Sequence, residues 1–421
     1  MKFLFVTIFG ESASLAQQLQ REGNQVRFYV KDKKMQDVAR RLVPRVRNWK
    51  THKDWADVIV FDDVDCGKDI ESLRNRGYLV VGGNRFGDRI ENDRLFAQKM
   101  MRETGMKLPP SWRFKNFKTA AKFIKKRPKR YVIKVSGQPE RYTCYLGKSE
   151  DGFDLLKMIE NLEESWPKKR RIDFILQEWI EGIEMATGAF FNGKEFASPV
   201  NISFEHKNFL TGGLGPLTGE MGTSMFYSET GGKLFRETLS RMKPYLAKTN
   251  YRGFIDLNCI VTKKAAYPID FTARFGYPQI DIQQELHKTP WGELLYKVAN
   301  GTLKHFDVYK KYAIGVIMGG AGMPYEISYN KFGKDLPILG LTHENMAYIK
   351  LAQAYAKDGR FYTGGTGYVL TINGSGKTME AAKKLAYERL KEVIIPNAVY
   401  RLDIGDHWKT EEAKLKEWGY L

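Results

Sequence analysis

A chain of 421 residues is long enough for roughly two to four compact units. With 43% hydrophobic and 13% aromatic residues it carries ample core material, which excludes global disorder. Its 68 Lys and Arg against 49 Asp and Glu leave a formal net charge of +19, which suits either a polyanion binder or a basic surface around a site for small anions.

The first ten residues hold an apolar run too short for a signal peptide and read as a buried strand over 2–8. Further strands are expected at 25–30, 58–61 and 78–81. Amphipathic segments at 12–22 and 69–76 separate them, the alternation of a parallel α/β unit. The turn Gly82-Gly83-Asn84 closes that unit, and a helix follows over 93–103. Strands at 131–135 and 174–180 flank a helix at 154–164. From 186 to 272 strands dominate around a glycine-rich loop, 211–222. The tail has its own strands at 312–318 and 367–372 and a long helix at 379–394. No run approaches the ~18 apolar residues of a membrane span. Cys66, Cys144 and Cys259 form no C-x-x-C pair, so neither a disulfide framework nor a zinc site is expected, and the chain reads as soluble and cytoplasmic.

Two basic clusters, 125–130 and 168–171, lack the interleaved aromatics of a nucleic-acid stacking surface and read as solvated loop charge. Asn373-Gly374-Ser375-Gly376-Lys377-Thr378 imitates a phosphate-binding loop, but the glycine required five residues before Gly376 is Thr371. It reads instead as a turn from a strand into a helix.

The strongest chemical signal is a pair of neighbouring strands, 253–261 and 266–276. A period of two puts Asp256 and Asn258 on one face, and Asp270, Thr272 and Arg274 on one face, so a hairpin would bring all five together. Two carboxylates with neutral oxygens suit Mg²⁺, which keeps few protein ligands and bridges to phosphates, and an arginine beside them suits phosphoryl charge. Lys134 sits within an apolar strand, in reach of a phosphate. Gln177-Glu178-Trp179-Ile180, followed by Glu184, offers backbone groups to a purine and a carboxylate to ribose hydroxyls. A polar face of an exposed hairpin and a snorkelling edge lysine are the competing structural readings.

These residues resemble the ATP-grasp ligases, specifically the glycinamide ribonucleotide synthetase (phosphoribosylamine–glycine ligase) family, over essentially the whole chain. Arg94 stands where the family has its first ATP lysine, and Lys134 matches the second. Residues 177–184 are similar to the adenine hinge and ribose carboxylate. Glu205-His206-Lys207 with Gly215-Pro216-Leu217-Thr218-Gly219-Glu220-Met221-Gly222 resembles the family's most specific loop, and 269–276 resembles its metal strand. The resemblance implies an α/β ATP-grasp fold. Its parts are an N-terminal parallel α/β domain (1–92), an ATP-grasp region (93–310, with 112–185 as the smaller subdomain) and a small α+β C-terminal domain (311–421).

It also implies an ATP- and Mg²⁺-dependent carboxylate–amine ligase, with Mn²⁺ as a substitute ion, acting through an acyl phosphate on small-molecule amine and carboxylate substrates. In these roles Arg94, Lys134 and Arg141 hold phosphates, while Gln177, Glu178, Trp179, Ile180, Glu184 and Leu257 hold the nucleoside. Asp256, Asp270 and Thr272 hold the metal, and Arg274, Lys207 and His206 are catalytic. Gly10, Glu11, Ser12, Gly215, Pro216, Thr218, Glu220 and Gly222 face the substrates. The chain departs from the family at 9–14, at 62–67, and in the flap after Lys134, where Arg141 replaces an expected lysine. Asp for Glu and Thr272 for Asn on the metal strand make Asp256 the residue expected to restore the ion site. Other readings stay open: an acceptor amine on a nucleotide or nucleic acid, or a weakly catalytic nucleotide- or nucleic-acid-binding protein on the same scaffold. Monomer and homodimer are both compatible.

Overall fold

The computed structural model describes residues 1–135, 144–166 and 172–421. Four parallel strands, β1 (Lys2–Thr7), β2 (Gln25–Val30), β3 (Val58–Phe61) and β4 (Val80–Val81), form an N-terminal sheet in the order β2-β1-β3-β4. Helices Ala13–Arg21 and Gly67–Asn75 provide crossovers, as the alternating pattern predicts. Helix Arg94–Glu103 starts where Asp93 accepts a hydrogen bond from the Phe96 amide at 3.0 Å, an N-cap that places Arg94 in the first turn.

A small antiparallel sheet follows: β5 (Ser111–Phe114), β6 (Tyr131–Val135), β7 (Tyr145–Leu146) and β8 (Phe174–Glu178), in the order β5-β8-β6-β7. Helices Phe117–Lys126 and Phe153–Ser165 pack on it over an aromatic core that includes Phe117, Tyr131 and Phe174.

The large sheet has eight strands. Its first members are β9 (Ile183–Asn192) and β10 (Val200–Glu205); a side hairpin, β11 (Asn208–Leu210) and β12 (Leu214–Leu217), then precedes β13 (Gly222–Ser228). β14 (Arg252–Val261), β15 (Ala266–Thr272) and β16 (Tyr312–Gly319) continue it. A separate three-stranded sheet contains β17 (Pro337–Ile338), β19 (Ala354–Lys357) and β20 (Arg360–Thr363). β18 (Ile349–Leu351) and β21 (Tyr368–Gly376) complete the large sheet in the order β15-β14-β9-β10-β13-β16-β21-β18. The tail strands β16, β21 and β18 therefore continue this sheet. The long helix is shorter than its apolar pattern suggests, Met379–Leu390. The loop expected at 211–222 contains the β11–β12 hairpin.

The large sheet is two-faced. Ile255, Leu257 and Cys259 on β14, with Met185 and Phe191 on β9, enter the main apolar core. Phe254 and Phe190 point the other way, 5.2 Å apart edge to face, and pack with Phe3, Phe5 and Phe28 of the N-terminal sheet. Arg74 ties the two units together. Its guanidinium donates to the carbonyls of Val80, Gly82 and Gly83 in the first unit and of Asn250 and Arg252 in the second. Replacing Arg74 by methionine strands these carbonyls, and urea unfolding is expected to show a loss on the order of 3 kcal/mol.

The phosphate-loop imitation is a strand-to-helix junction, as expected. A Cβ on Gly374 would lie 2.3 Å from the Ala386 amide nitrogen, so this glycine lets helix Met379–Leu390 lie close on β21. The cluster at 125–130 is more engaged than solvated loop charge. Lys125 pairs with Glu160 and Lys129 with Glu178, and Arg130 lies over the Trp179 ring at 3.7 Å. The cluster at 168–171 lies outside the described residues.

Candidate active site

β14 and β15 are antiparallel neighbours, with Asp256 opposite Thr272 and Asn258 opposite Asp270. All four share the face away from the main core. Asp270 receives two cations from distant elements: Arg94, at the start of its helix, pairs with Oδ1, and Lys134 on β6 pairs with Oδ2 at 3.0 Å. Burial alone would raise the Asp270 pKa, but Lys134, Arg94 and Lys207 overcome it and hold the carboxyl well below its ordinary range. Burial pushes the Lys134 ammonium down, opposed by Asp270. Glu91 and Gln177 line the same narrow pocket as Arg94, Lys134 and Asp270.

Beside this lies a second cluster. Lys207 sits 3.0 Å from both Glu184 and Glu205. Glu205 also accepts from Asn258 at 2.8 Å and from Gln279 at 3.2 Å. Despite its burial, Lys207 is pushed well above its usual pKa by those two carboxylates. Glu220, 5% exposed, turns into this cluster, and burial followed by Glu205 raises its pKa well above normal. Asp256 is 1% exposed, and among the described residues neither carboxylate oxygen has a hydrogen-bond partner within 3.5 Å, Gln279 lying nearby. Burial, then Glu205, lifts its pKa to about 8. Five carboxylates (184, 205, 220, 256 and 270) thus face three cations (94, 134 and 207).

Not every expected residue joins this face. Arg274 lies beyond the end of β15, and its guanidinium turns to the N-terminal unit, to Glu91 at 3.1 Å, Glu11 at 3.3 Å and Asp63 at 4.0 Å. The strand period fails for Arg274 because the strand has ended. Leu257 lies between Asp256 and Asn258, so it points into the main core, fully buried, away from the charged face. His206 contacts His407, ring centres 5.1 Å apart, and burial lowers its pKa to about 4, so it is neutral at pH 7. Arg141 lies outside the described residues.

In the hinge, Gln177 is buried, Glu178 pairs with Lys129, and the Trp179 indole donates to Glu181. Ile180 follows directly, and Glu184 is held by Lys207. In the substrate segments, Ser12 donates to Asp62 from its amide, and Glu11 lines a cavity of about 790 Å³ together with Pro216. Gly10 precedes them at φ +84° and Gly215 has φ +76°. Thr218 donates to the Lys207 carbonyl from both its amide and its hydroxyl. Gly222 is required by space: a Cβ there would lie 2.6 Å from the Gly315 carbonyl.

Glu91, Asp63, Gln279 and Arg130 are residues that motif matching missed. Glu205 had a readable signal, since it alternates with Asn201 and Ser203 along β10; Glu91 had none.

Among the described residues no group of three or more His, Cys, Asp or Glu has the arrangement of a metal cage. Mg²⁺ bound through phosphates needs only one or two carboxylates. The partnerless oxygens of Asp256 and Asn258 Oδ1 beside Asp270 fit that requirement.

Residues 92–280 match the family model of the phosphoribosylglycinamide synthetase ATP-grasp (A) domain. A solved phosphoribosylamine–glycine ligase from Thermotoga maritima superposes with a TM-score of 0.73 at 21% identity, covering 96% of this chain and 100% of that one. The chain has an ATP-grasp fold. Phosphoribosylamine–glycine ligases from Listeria innocua and Caldanaerobacter subterraneus are 26% identical over 345 residues and 27% identical over 354 residues. These alignments span 80% of this chain in each case and 80% and 81% of the relatives. In this ATP-grasp molecule the small sheet carries Lys134 and the hinge, and the large sheet carries Asp256 and Asp270. The two charged clusters occupy the face between them.

Proposed function

We propose that this chain is an ATP-dependent carboxylate–amine ligase of the phosphoribosylamine–glycine ligase kind, acting in purine biosynthesis. The observation that carries the reading is Asp270 held between Arg94 and Lys134 on the inner face of an ATP-grasp sheet, beside the unpaired Asp256. Two cations from separate elements converging on one acidic strand make a phosphate clamp with a built-in counter-charge.

The substrate carboxylate attacks the γ-phosphorus of ATP and ADP departs; the amine then displaces phosphate from the acyl phosphate to give the amide. Arg94 and Lys134 neutralise the phosphate oxygens, and Asp270 holds both cations in place until the nucleotide arrives. Mg²⁺, held by Asp256 and Asp270 with Thr272 alongside, would neutralise charge between the phosphates; on this reading Mn²⁺ can replace it. Gln177 to Ile180 present the hinge backbone to the base, and Glu184 reaches the ribose. Lys207 steadies the carboxylate substrate, the neutral His206 shapes the floor of the substrate loop, and Arg274 orients the acceptor side through its carboxylate partners. Catalysis here is positioning and charge neutralisation.

No helix among the described residues is long and apolar enough to cross a membrane, and the reading places a cytoplasmic enzyme among water-soluble substrates. An ADP-release assay with Mg·ATP, glycine and phosphoribosylamine tests it. Release that requires both substrates supports the proposal; nucleotide binding without release for any acid and amine pair overturns it.

A further inference from the structure

The acceptor nitrogen must lose a proton to become an amide nitrogen. Among the described residues of the charged face between the two sheets, Lys207, Asp270, Glu184 and Glu205 are already ion-paired, and burial holds Asp256 and Glu220 toward their protonated forms. The N-terminal unit supplies a different group. Glu11, Asp63 and Glu91 gather around the single guanidinium of Arg274, and a fourth carboxylate, Asp62, lies beside Glu11. Three of them are committed. Asp62 accepts from both the amide and the hydroxyl of Ser12, Asp63 accepts from the Ile8 amide, and Glu91 accepts from the Ala273 amide and from Arg274. Among the described residues Glu11 accepts only from Arg274, through Oε2, and its side chain remains 26% exposed beside the 790 Å³ cavity.

That cavity has Glu11 on one side and Pro216 and Leu217 of the substrate loop on another, so it opens beside the segment that faces the substrates. Glu91 lines the Arg94–Lys134–Asp270 pocket and also binds Arg274, so one arginine links the phosphate pocket to Glu11. Glu11 therefore stands at the boundary between the place where an acyl phosphate would form and the route by which an amine would enter. An unpartnered oxygen of Asp62, a residue only 2% exposed, adds negative charge beside it.

We propose that Glu11 is the catalytic residue that takes the proton from the acceptor ammonium; this rests on the ligase reading above. The ammonium gives one proton to Glu11, and the freed nitrogen lone pair attacks the acyl carbon. The C–N bond forms as the C–O bond to phosphate breaks. Phosphate leaves with that electron pair and receives the second nitrogen proton, and the amide is released.

Burial raises the Glu11 pKa, Arg274 opposes this, and Glu91 adds to the rise. The other ionisable groups facing it are Asp62 and Asp63 from the end of β3, and Tyr277 and Asp281 from the segment after β15. Across the cavity stand Asp32, Lys34 and Glu326, the last two paired at 2.7 Å. Because a base must be deprotonated to act, amide formation should fall on the acid side, at a pH above the ordinary glutamate range.

The test is Glu11→Gln, assayed with phosphoribosylamine and separately with hydroxylamine, which is uncharged at neutral pH and needs no base to attack an acyl phosphate. The kcat for the amide is expected to fall on the order of 10²-fold. The hydroxamate-to-amide ratio should rise by a similar factor, and the acid limb of the pH profile should vanish. Glu11→Asp should keep the limb and restore part of the rate. Full amide turnover by Glu11→Gln overturns the proposal, as does parallel loss of hydroxamate and amide, which would mean a role before amine attack. If the unaltered enzyme releases no ADP with Mg·ATP, glycine and phosphoribosylamine together, the ligase reading itself fails.

Discussion

Asp270→Asn is expected to lower ADP release by a factor on the order of 10²–10³, the scale of removing one preorganised electrostatic partner. The carboxylate has two neighbours, Arg94 on Oδ1 and Lys134 on Oδ2 at 3.0 Å, and Lys207 contributes at longer range. Asparagine keeps the shape but removes the charge that holds two cations close together before nucleotide binds. It also removes the carboxylate most suited to share Mg²⁺ with the phosphates. Both effects act on phosphoryl transfer, so kcat should fall more than nucleotide affinity. Single-turnover ADP formation with saturating Mg·ATP measures this; a variant within threefold of the parent would remove Asp270 from the chemistry.

Asp256→Asn should separate stability from activity. Asp256 is buried with no hydrogen-bond partner among the described residues, and its pKa is raised to about 8 in the folded chain, against about 4 for an unfolded aspartate. The folded state therefore keeps this proton while the unfolded state has released it. Across pH 4 to 8 this group makes the fold less stable as pH rises, by about 1.4 kcal/mol per pH unit. The contribution is absent below that window and fully developed above it. Asparagine carries no such penalty, so in urea unfolding without nucleotide the variant should gain on its parent steadily from pH 5 to 8. Comparing the two chains cancels the other raised carboxyls, Asp62 at about 6 and Asp281 at about 7. Turnover with Mg·ATP should fall on the order of 10²-fold in the same protein, the trade expected of a strained, functional charge. A flat difference across pH would show that Asp256 is already ionised in the folded chain. Full Mg·ATP turnover would exclude it from the ion site.

Much of the scaffold was legible locally. Strands at 25–30, 58–61 and 131–135 occur at the expected residues, because short apolar runs between turn signals leave little choice of period. Boundaries moved where the local signal was equivocal, as at 174–180, where the strand stops at Glu178 before the hinge turns away. Within the candidate site, period-two alternation paired Asp256, Asn258, Asp270 and Thr272 on one face, and a register between two adjacent strands is a local property. The same alternation carried past Thr272 misplaced Arg274, and it leaves Leu257 in the core. The glycine-rich stretch reads as loop from composition, yet it contains a hairpin whose strands bracket the turn at Thr211–Gly213.

By itself, then, the sequence determined the order of elements, the acidic hairpin and the lysine strand, since each depends on residues close together along the chain. Only the tertiary structure decided which charges meet. Arg94 and Lys134 lie 176 and 136 positions from Asp270, and Glu11 lies 263 positions from Arg274. Such pairings follow from how three sheets pack, and a Coulomb interaction depends on distance in space, which no local pattern encodes. The charge divides in the same way: Arg94, Lys134 and Lys207 act together on one aspartate, while ion pairs cancel in the net charge, so the +19 surplus lies outside them.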